Sequence, residues 1–210
     1  MTQMNEISEL LQKGKAKDVV TLVQQAIEEG IPAETILKEG LLAGMEVVGQ
    51  KFRDEIIFVP EVLVAARAMN KGAEVLRPLL SDVSATVTGK VCLGTVKGDL
   101  HDIGKNLVKM MMEGKGLEVI DLGTDVPAEK FVQTAIEENC QVICCSCLLT
   151  NTMPEMELVV KAASEAGIRD KVKIMVGGAP VTPEFAESIG ADAYSDDAAT
   201  AADIAASFCK

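Results

Sequence analysis

The chain has 210 residues, 48% of them hydrophobic, which is enough to bury the core of one large domain or of two small ones. Its formal net charge of −12 argues against binding to nucleic acid, because neutralising phosphates requires an excess of lysine and arginine. No stretch approaches the roughly 20 consecutive apolar residues of a membrane span, and the first residues lack a signal-peptide pattern. We therefore expect a cytoplasmic protein without nucleic-acid or membrane partners, whose six cysteines are free thiols.

The first 80 residues carry apolar positions at helical spacing and no strand pattern. A first helix is predicted to stop at Gly14, a second stops at Gly30, a third covers 37–52, and a fourth begins at Pro60. Four amphipathic helices with short connections predict a small up-down four-helix bundle.

Small polar residues at 81–89 break the helical pattern and predict a linker. Beyond it, strands and helices alternate, which is typical of a parallel sheet covered on both faces. Strands are predicted near 90–96, 118–122, 141–146, 172–176 and 191–194, and helices near 103–115, 127–138, 153–167, 182–189 and 197–208. We therefore predict an α/β protein with a four-helix domain at 1–88 and a Rossmann-like domain at 89–210, whose five strands follow the flavodoxin-like order.

The only histidine, His101, lies between the first predicted strand and the following helix, in the sequence Gly98-Asp-Leu-His-Asp-Ile-Gly104. In a doubly wound sheet this turn lies at the carboxyl edge, where ligands bind. An imidazole is the commonest metal ligand in proteins and usually donates its other N–H to a carboxylate, for which Asp99 and Asp102 are both close enough in sequence. Taken alone, the motif favours the plainer interpretation of a histidine that caps or bridges a turn.

Two further fragments end predicted strands in the same way. Ser146-Cys147-Leu148 follows Gly104 after 41 residues, and Gly177-Gly178 follows Leu148 after 28. Three strand ends would therefore point at one crevice. The glycine pair leaves room for a ligand that approaches the backbone, although a tight turn explains it equally well. We interpret Cys144, Cys145 and Cys147 as small core residues, with Cys147 near any ligand bound there.

The spaced set Asp-x-His-x-x-Gly, Ser-x-Leu and Gly-Gly resembles the cobalamin-binding domains of methyltransferases and mutases, which hold the cofactor base-off with histidine on cobalt. Over nearly the whole chain, the sequence is similar to the cobalamin-binding module of cobalamin-dependent methionine synthase. It is also similar to the small corrinoid proteins of methanol, methylamine and aryl-ether methyltransferase systems. The resemblance implies that His101 is the lower ligand of cobalt and that Asp99 accepts its other N–H, with the hydroxyl of Thr152 completing a relay. On reduction to cobalt(I) the released imidazole should take up a proton near neutral pH.

The resemblance also implies which residues surround the cofactor. The His101 turn would contact the ring and the start of the displaced nucleotide tail, and the other two fragments would line the path of that tail. Ser146 and Thr150 offer hydroxyls there, and Leu148 offers an apolar wall. A segment around Tyr194 would close over the far end. The full set of expected cofactor-binding residues outside the helical domain is Gly98, Asp99, Leu100, His101, Asp102, Ile103, Gly104, Ser146, Leu148, Thr150, Gly177, Gly178, Tyr194 and Ala198.

The helical domain resembles the cap that covers the upper face of the ring in this family. The sequence from Gly44 to Val62 is similar to the cap signature and would place Phe52, Val59 and Val62 over the ring. Methionine synthase has leucine where this chain has Val59, so the cap would fit more loosely. On spacing alone, each of the three is a core residue of a helical bundle.

The function implied by the resemblance is that of a corrinoid methyl carrier, a subunit of a methyltransferase system whose cofactor alternates between cob(I)alamin and methylcobalamin. Its partners would be a substrate-specific methyltransferase, a second methyltransferase that acts on a thiol or on folate, and a reductive activator. Since the upper face of the ring must be exposed to two partners in turn, the linker at 81–89 would serve as a hinge.

Two alternatives from other classes remain at this point. A cobalamin-binding sensor combines the same two domains with a DNA-binding domain, and we expect no such domain because the two predicted domains account for all 210 residues. A flavodoxin-like interaction module without a cofactor would make the motif spacing a coincidence. A mutase subunit is disfavoured, since mutases surround the cofactor with a catalytic barrel in place of a helical cap.

Overall fold

The computed structural model describes residues 2–80 and 88–210. The chain divides into two compact units, Met1–Val87 with Gly114–Gly116 and Thr88–Glu113 with Leu117–Lys210. The first is helical and the second is built around a parallel sheet, so the predicted fold class is confirmed. No helix within the described ranges is long and apolar enough to cross a membrane.

The helical unit contains the four helices predicted within residues 2–80. Helix α1 is Gln3–Gln12 and α2 is Ala16–Glu28. Helix α3 comprises Ala33–Thr35, Ile36–Leu42 and Ala43–Arg53 in succession, and α4 is Val59–Leu76 with a 3₁₀ turn at Arg77–Leu79. Pro60 lies in the first turn of α4, where its missing N–H costs nothing.

The third helix differs from the prediction because its segment Ile36–Leu42 is a π-helix. A side chain at Gly40 would lie 3.1 Å from the Ile7 side chain, and one at Gly44 would lie 3.2 Å from the Ser8 backbone. The two glycines therefore allow α1 to approach this part of α3 closely. Apolar spacing alone does not distinguish a π turn from an α turn over so few residues.

The second unit alternates strands and helices from β1, Gly89–Val96, to α9, Ala198–Phe208. The elements between them are α5 Ile103–Glu113, β2 Leu117–Val126, α6 Ala128–Glu137, β3 Val142–Ser146, a 3₁₀ turn Thr150–Thr152, α7 Pro154–Glu165, β4 Lys173–Gly177, α8 Pro183–Ser188 and β5 Ala193–Ser195. All strand pairs are parallel and the order is β2-β1-β3-β4-β5, which confirms the flavodoxin-like topology.

The predicted linker, 81–89, lies outside the described residues except at its end. Gly89 is the first residue of β1 and pairs with Leu117 of β2, so the linker prediction extended too far toward the sheet. Glycine is favoured there because a side chain would collide with Cys209, whose Cβ would be only 2.4 Å away.

Cys144, Cys145 and Cys147 are buried in the second unit, as the sequence predicts. All six cysteines are free thiols, and five of them are buried. Cys92 and Cys145 share one apolar cluster with Phe131, Met156 and Ile174.

A half-buried carboxylate joins β4 to the residues around β5. Asp192 accepts the backbone N–H of Ile174 at 2.8 Å, Arg169 Nη1 at 2.8 Å and Lys173 Nζ at 3.2 Å. Burial alone would raise the pKa of Asp192, but the hydrogen bonds from Ile174, Arg169 and Lys173 outweigh it and leave the pKa below its ordinary value.

We predict that Asp192→Asn lowers the free energy of unfolding by about 1–2 kcal/mol at neutral pH, because the charge-assisted hydrogen bonds weaken. A carboxyl whose pKa is depressed in the folded state stabilises fully above its unfolded pKa of about 3.9, and this contribution is lost as the pH falls through the folded-state value. The difference between wild type and Asp192→Asn in urea unfolding should therefore shrink below about pH 4. Asp170→Asn removes the charge of an exposed aspartate and should show no such pH dependence; a constant difference for Asp192→Asn would contradict the prediction.

Candidate functional site

The strand register brings the three sequence fragments to one edge of the sheet. Thr95 of β1 pairs with Ser146 of β3, Ser146 pairs with Gly177 of β4, and Gly177 pairs with Ser195 of β5. The loops that follow β1, β3 and β4 therefore leave the sheet side by side at its carboxyl edge, where flavodoxin-like proteins bind ligands.

The carboxylate of Asp99 is the centre of this edge and is completely buried. Its Oδ1 accepts the backbone N–H of His101 and faces the imidazole Nδ1, both at 3.0 Å. Its Oδ2 accepts the backbone N–H groups of Leu148 at 2.7 Å and Leu149 at 3.1 Å, and lies 3.2 Å from Thr152 Oγ1. One side chain thus ties the loop after β1 to the loop after β3.

These donors keep Asp99 ionised. Burial raises the pKa of a carboxyl, but the hydrogen bonds from Leu148, His101 and Leu149 outweigh it and hold the pKa of Asp99 well below its usual range. An ionised carboxylate only accepts hydrogen bonds, so the proton in the 3.0 Å contact belongs to Nδ1 of His101. The neutral ring then has its lone pair on Nε2, the form that binds a metal.

Thr152 extends the network toward a residue whose part in it the sequence did not predict. The Thr152 hydroxyl lies 2.9 Å from the Leu149 carbonyl oxygen and 3.2 Å from Cys147 Sγ. Cys147 Sγ also lies 3.0 Å from the Leu149 carbonyl oxygen. Burial raises the pKa of the Cys147 thiol, so it serves as a neutral hydrogen-bonding group behind Thr152.

Two exposed apolar residues, Leu100 and Ile103, flank His101 in the sequence of the turn. The His101 side chain is 55% exposed, while Leu100 and Ile103 are 73% and 80% exposed. Thr95 stabilises the turn because its hydroxyl donates a hydrogen bond to the His101 carbonyl oxygen at 2.8 Å. Large apolar residues this exposed, beside a base with a free lone pair, form a surface suited to a flat, largely apolar ligand.

Asp102, the second carboxylate considered for His101, has another partner. Its Oδ2 accepts Asn106 Nδ2 at 3.1 Å, and its carbonyl accepts the Asn106 backbone N–H at 2.7 Å. Asp102 therefore binds the first turn of helix α5 from the position just before it. Asp99, and not Asp102, is the carboxylate that lies beside the ring.

The glycine pair has a structural reason that the sequence did not reveal. Gly178 has a φ of +127°, and a side chain there would lie 1.8 Å from the Cys147 carbonyl oxygen. A side chain at Gly177 would lie 3.1 Å from the Ser195 carbonyl oxygen. The backbones after β3 and β4 thus approach each other closely at Gly178, and its role as room for a nucleotide tail stays a prediction.

The remaining predicted residues of this unit are spread along the same edge. Ser146 is half-buried, whereas Leu148 and Thr150 are exposed in the loop after β3. Tyr194 packs against the apolar cluster behind the sheet, and Ala198 is buried at the start of α9. Gly98 and Gly104 flank the His101 turn.

In the helical unit, the three predicted cap residues differ in exposure. Val62 is completely buried on α4, while Phe52 and Val59 are half-buried. Among the described residues of this unit, the most exposed large apolar ones are Ile56 and Phe58, which lie between α3 and α4 within the cap signature but were not predicted to cover the ring.

Comparison with known proteins agrees with the class that this fold and edge define, a cobalamin-binding protein. Residues 89–203 match a family described as B12 binding domain, and residues 3–77 match a second family with the same description. The chain is 42% identical over 195 residues to trimethylamine corrinoid protein 1 of Methanosarcina acetivorans, covering 88% of this chain and 90% of that protein. It is 41% identical over 199 residues to the dimethylamine corrinoid protein of Methanosarcina barkeri, covering 94% and 93%.

Solved structures give the same result. A chain of the methanol:cobalamin methyltransferase complex MtaBC from Methanosarcina barkeri superimposes with a TM-score of 0.89 at 32% identity, covering 99% of this chain and 79% of that one. A cobalamin-binding protein from Desulfitobacterium hafniense DCB-2 gives 0.81 at 29% identity, with 98% of both chains covered. The chain belongs to the B12-binding corrinoid protein family, and its cofactor is cobalamin. The alternative of a module without a cofactor is therefore wrong.

Because Gly178 lies against the Cys147 carbonyl, we predict that Gly178→Ala lowers the free energy of unfolding of the cofactor-free protein by about 2 kcal/mol or more. Gly167→Ala is the control for a left-handed backbone without a close contact: Gly167 has a φ of 69°, and beyond its chain neighbours no atom lies within 4 Å of the added carbon, whereas the φ of 127° at Gly178 lies outside the left-handed helical region and adds to the expected loss. Urea unfolding followed by circular dichroism compares the two. Equal losses would show that the positive φ, and not the contact, requires glycine at position 178.

Proposed function

We propose that this chain is a corrinoid methyl carrier that receives a methyl group from a substrate-specific methyltransferase and passes it to a second methyltransferase acting on a thiol or on tetrahydrofolate. Relatives at 41–42% identity are named as methylamine corrinoid proteins, and a chain of a methanol:cobalamin methyltransferase complex shares the fold. The observation that carries the proposal is the pairing of His101 with the buried, ionised Asp99.

His101 would hold the cofactor through Nε2. Among the described residues, the ring is hydrogen-bonded through Nδ1 to Asp99, and none is hydrogen-bonded to Nε2. When bound, cobalamin supplies a cobalt centre that accepts and gives up the methyl group. Asp99 keeps the Nδ1 proton and fixes the orientation of the ring, as carboxylates do behind metal-bound histidines. The Thr152 hydroxyl lies 3.2 Å from Oδ2 of Asp99 and helps to keep that oxygen in place.

The exposed side chains around His101 would contact the ring, and the loop after β3 would meet the tail. Leu100 and Ile103 project from the turn, and Leu148 and Thr150 lie on the neighbouring loop. The apolar surface supports this role, because a macrocycle buries more area than a small polar ligand.

We also propose that the helical unit protects the cofactor from solvent. The resemblance of Phe52, Val59 and Val62 to the family's cap signature supports this role. The exposure of Ile56 and Phe58 further supports a protective role for the helical unit, since exposed large apolar side chains within that signature suit contact with a ligand or a partner protein.

Two further features belong to the proposal. A carrier that works through the most reduced form of cobalt needs a reductive activator when the metal is oxidised. A reducing compartment such as the cytoplasm is supported by the six free thiols.

We predict that His101→Ala abolishes axial nitrogen ligation while leaving the fold intact, because the exposed ring contributes little to packing. The protein is loaded with hydroxocobalamin, desalted and reduced to cobalt(II), and its electron paramagnetic resonance spectrum is recorded. Wild type should show splitting by one nitrogen, and His101→Ala should not. Asp170→Asn removes the charge of an exposed aspartate outside the predicted site and should retain the splitting.

The same three proteins test methyl transfer. Each is reduced and incubated with a methylamine or methanol methyltransferase and its substrate, and methylation is followed by the visible spectrum. Wild type and Asp170→Asn should be methylated by at least one of these enzymes, and His101→Ala should be methylated more slowly. A wild-type protein that retains no colour after desalting, or that no methyltransferase methylates, contradicts the carrier proposal.

A further inference from the structure

Strand β2 leaves its regular pairing with β1 next to the Asp99 turn. Gly94 of β1 pairs with Gly123, and Val96 pairs with Val126, so two steps along β1 correspond to three along β2. The extra residue falls at Thr124 or Asp125. Bulges of this kind beside functional sites redirect a side chain.

Asp125 has an uncommon backbone conformation at this bulge. Its φ is 55°, in the left-handed region that aspartate and asparagine tolerate better than most other side chains. Such a conformation persists where surrounding contacts favour it.

The hydrogen bonds of Asp125 connect it to the turn that carries Asp99. The Gly98 N–H donates to Asp125 Oδ1 at 2.7 Å, and the Asp125 N–H donates to the Asp99 carbonyl at 3.0 Å. Asp125 therefore bonds to the backbone on both sides of the Gly98–Asp99 segment. Gly98 is itself left-handed, with a φ of 79°.

We propose that Asp125 is a positioning residue for the metal ligand: by holding the Gly98–Asp99 backbone, it aims the Asp99 carboxylate at both His101 and the loop after β3. The five contacts of Asp99 depend on the placement of its backbone, which Asp99 does not set alone. The effect on the metal rests on the proposed ligation by His101, whereas the effect on the turn does not.

Three substitutions separate the parts of this role. Asp125→Asn keeps both a side-chain oxygen and a residue that tolerates positive φ. Asp125→Gly keeps the backbone conformation but removes the acceptor, and Asp125→Ala removes both. Asn139→Ala is the control, because Asn139 also has a φ of 55° but lies in the turn after α6, at the other end of β3.

The first measurement uses the protein without its cofactor. Hydrogen exchange of the Gly98 amide, followed by nuclear magnetic resonance, should be about tenfold or more faster in Asp125→Ala and Asp125→Gly than in wild type. Asp125→Asn, which keeps the acceptor oxygen but loses its charge, should exchange this amide at a rate between those of wild type and Asp125→Ala, and Asn139→Ala should exchange it at the wild-type rate. An unchanged Gly98 exchange rate in both Asp125→Ala and Asp125→Gly overturns the proposal.

The second measurement records the nitrogen splitting of the cobalt(II) protein. The ratio of cobalt without the axial nitrogen to cobalt with it should rise about tenfold in Asp125→Ala and Asp125→Gly, as loss of one charge-assisted hydrogen bond would produce. Asn139→Ala should match wild type, and Asp125→Asn should lie between wild type and Asp125→Ala because its neutral acceptor binds the Gly98 N–H less strongly. Full splitting in all variants overturns the positioning role. If wild type itself shows no splitting, ligation by His101 is wrong, and the Gly98 exchange rates alone decide whether Asp125 holds the turn.

Discussion

The site depends on one buried carboxylate. Asp99 accepts hydrogen bonds from two backbone N–H groups of the loop after β3 and from the backbone of its own turn, and it also faces the imidazole. An aspartate buried without these donors would protonate, because removing a charge from water is costly. With them it stays ionised and determines which nitrogen of His101 carries the proton. The geometry of the loops and the chemistry of the ring therefore depend on the same side chain.

The parallel sheet makes this arrangement possible. Because β1 and β3 are neighbours with aligned ends, a side chain just after β1 reaches the backbone just after β3. Gly178 then lets the loop after β4 approach Cys147, so the three loops support one another. At the bulge in β2, Asp125 adds two hydrogen bonds to the turn that carries Asp99.

Most of the fold follows from the sequence, because buried parallel strands and amphipathic helices leave regular patterns. The strand order and the grouping of the His101, Ser146 and Gly177 segments at one edge were predicted in this way, whereas membership of the corrinoid family was predicted from the resemblance of the motifs. The contributions of Cys147 and Asp125 were not predicted, since each depends on a hydrogen bond within or between loops that no residue spacing encodes. The π segment in α3 escaped for a different reason, because a single wider turn barely changes apolar periodicity. Both Asp99 and Asp102 were close enough to His101 in sequence; the family resemblance favoured Asp99, and the hydrogen bonds show that Asp99 faces the ring while Asp102 binds Asn106.

The central claim is that Asp99 keeps the proton on Nδ1 of His101 and leaves Nε2 as the free base. Since the chain has a single histidine, selective ¹⁵N labelling of histidine gives one ring to observe by nuclear magnetic resonance. In the neutral ring of the cofactor-free protein, Nδ1 should show the shift of a protonated nitrogen and Nε2 that of an unprotonated one. Asp99→Asn should move the ring toward the opposite tautomer. A wild-type ring that carries its proton mainly on Nε2 would contradict the account.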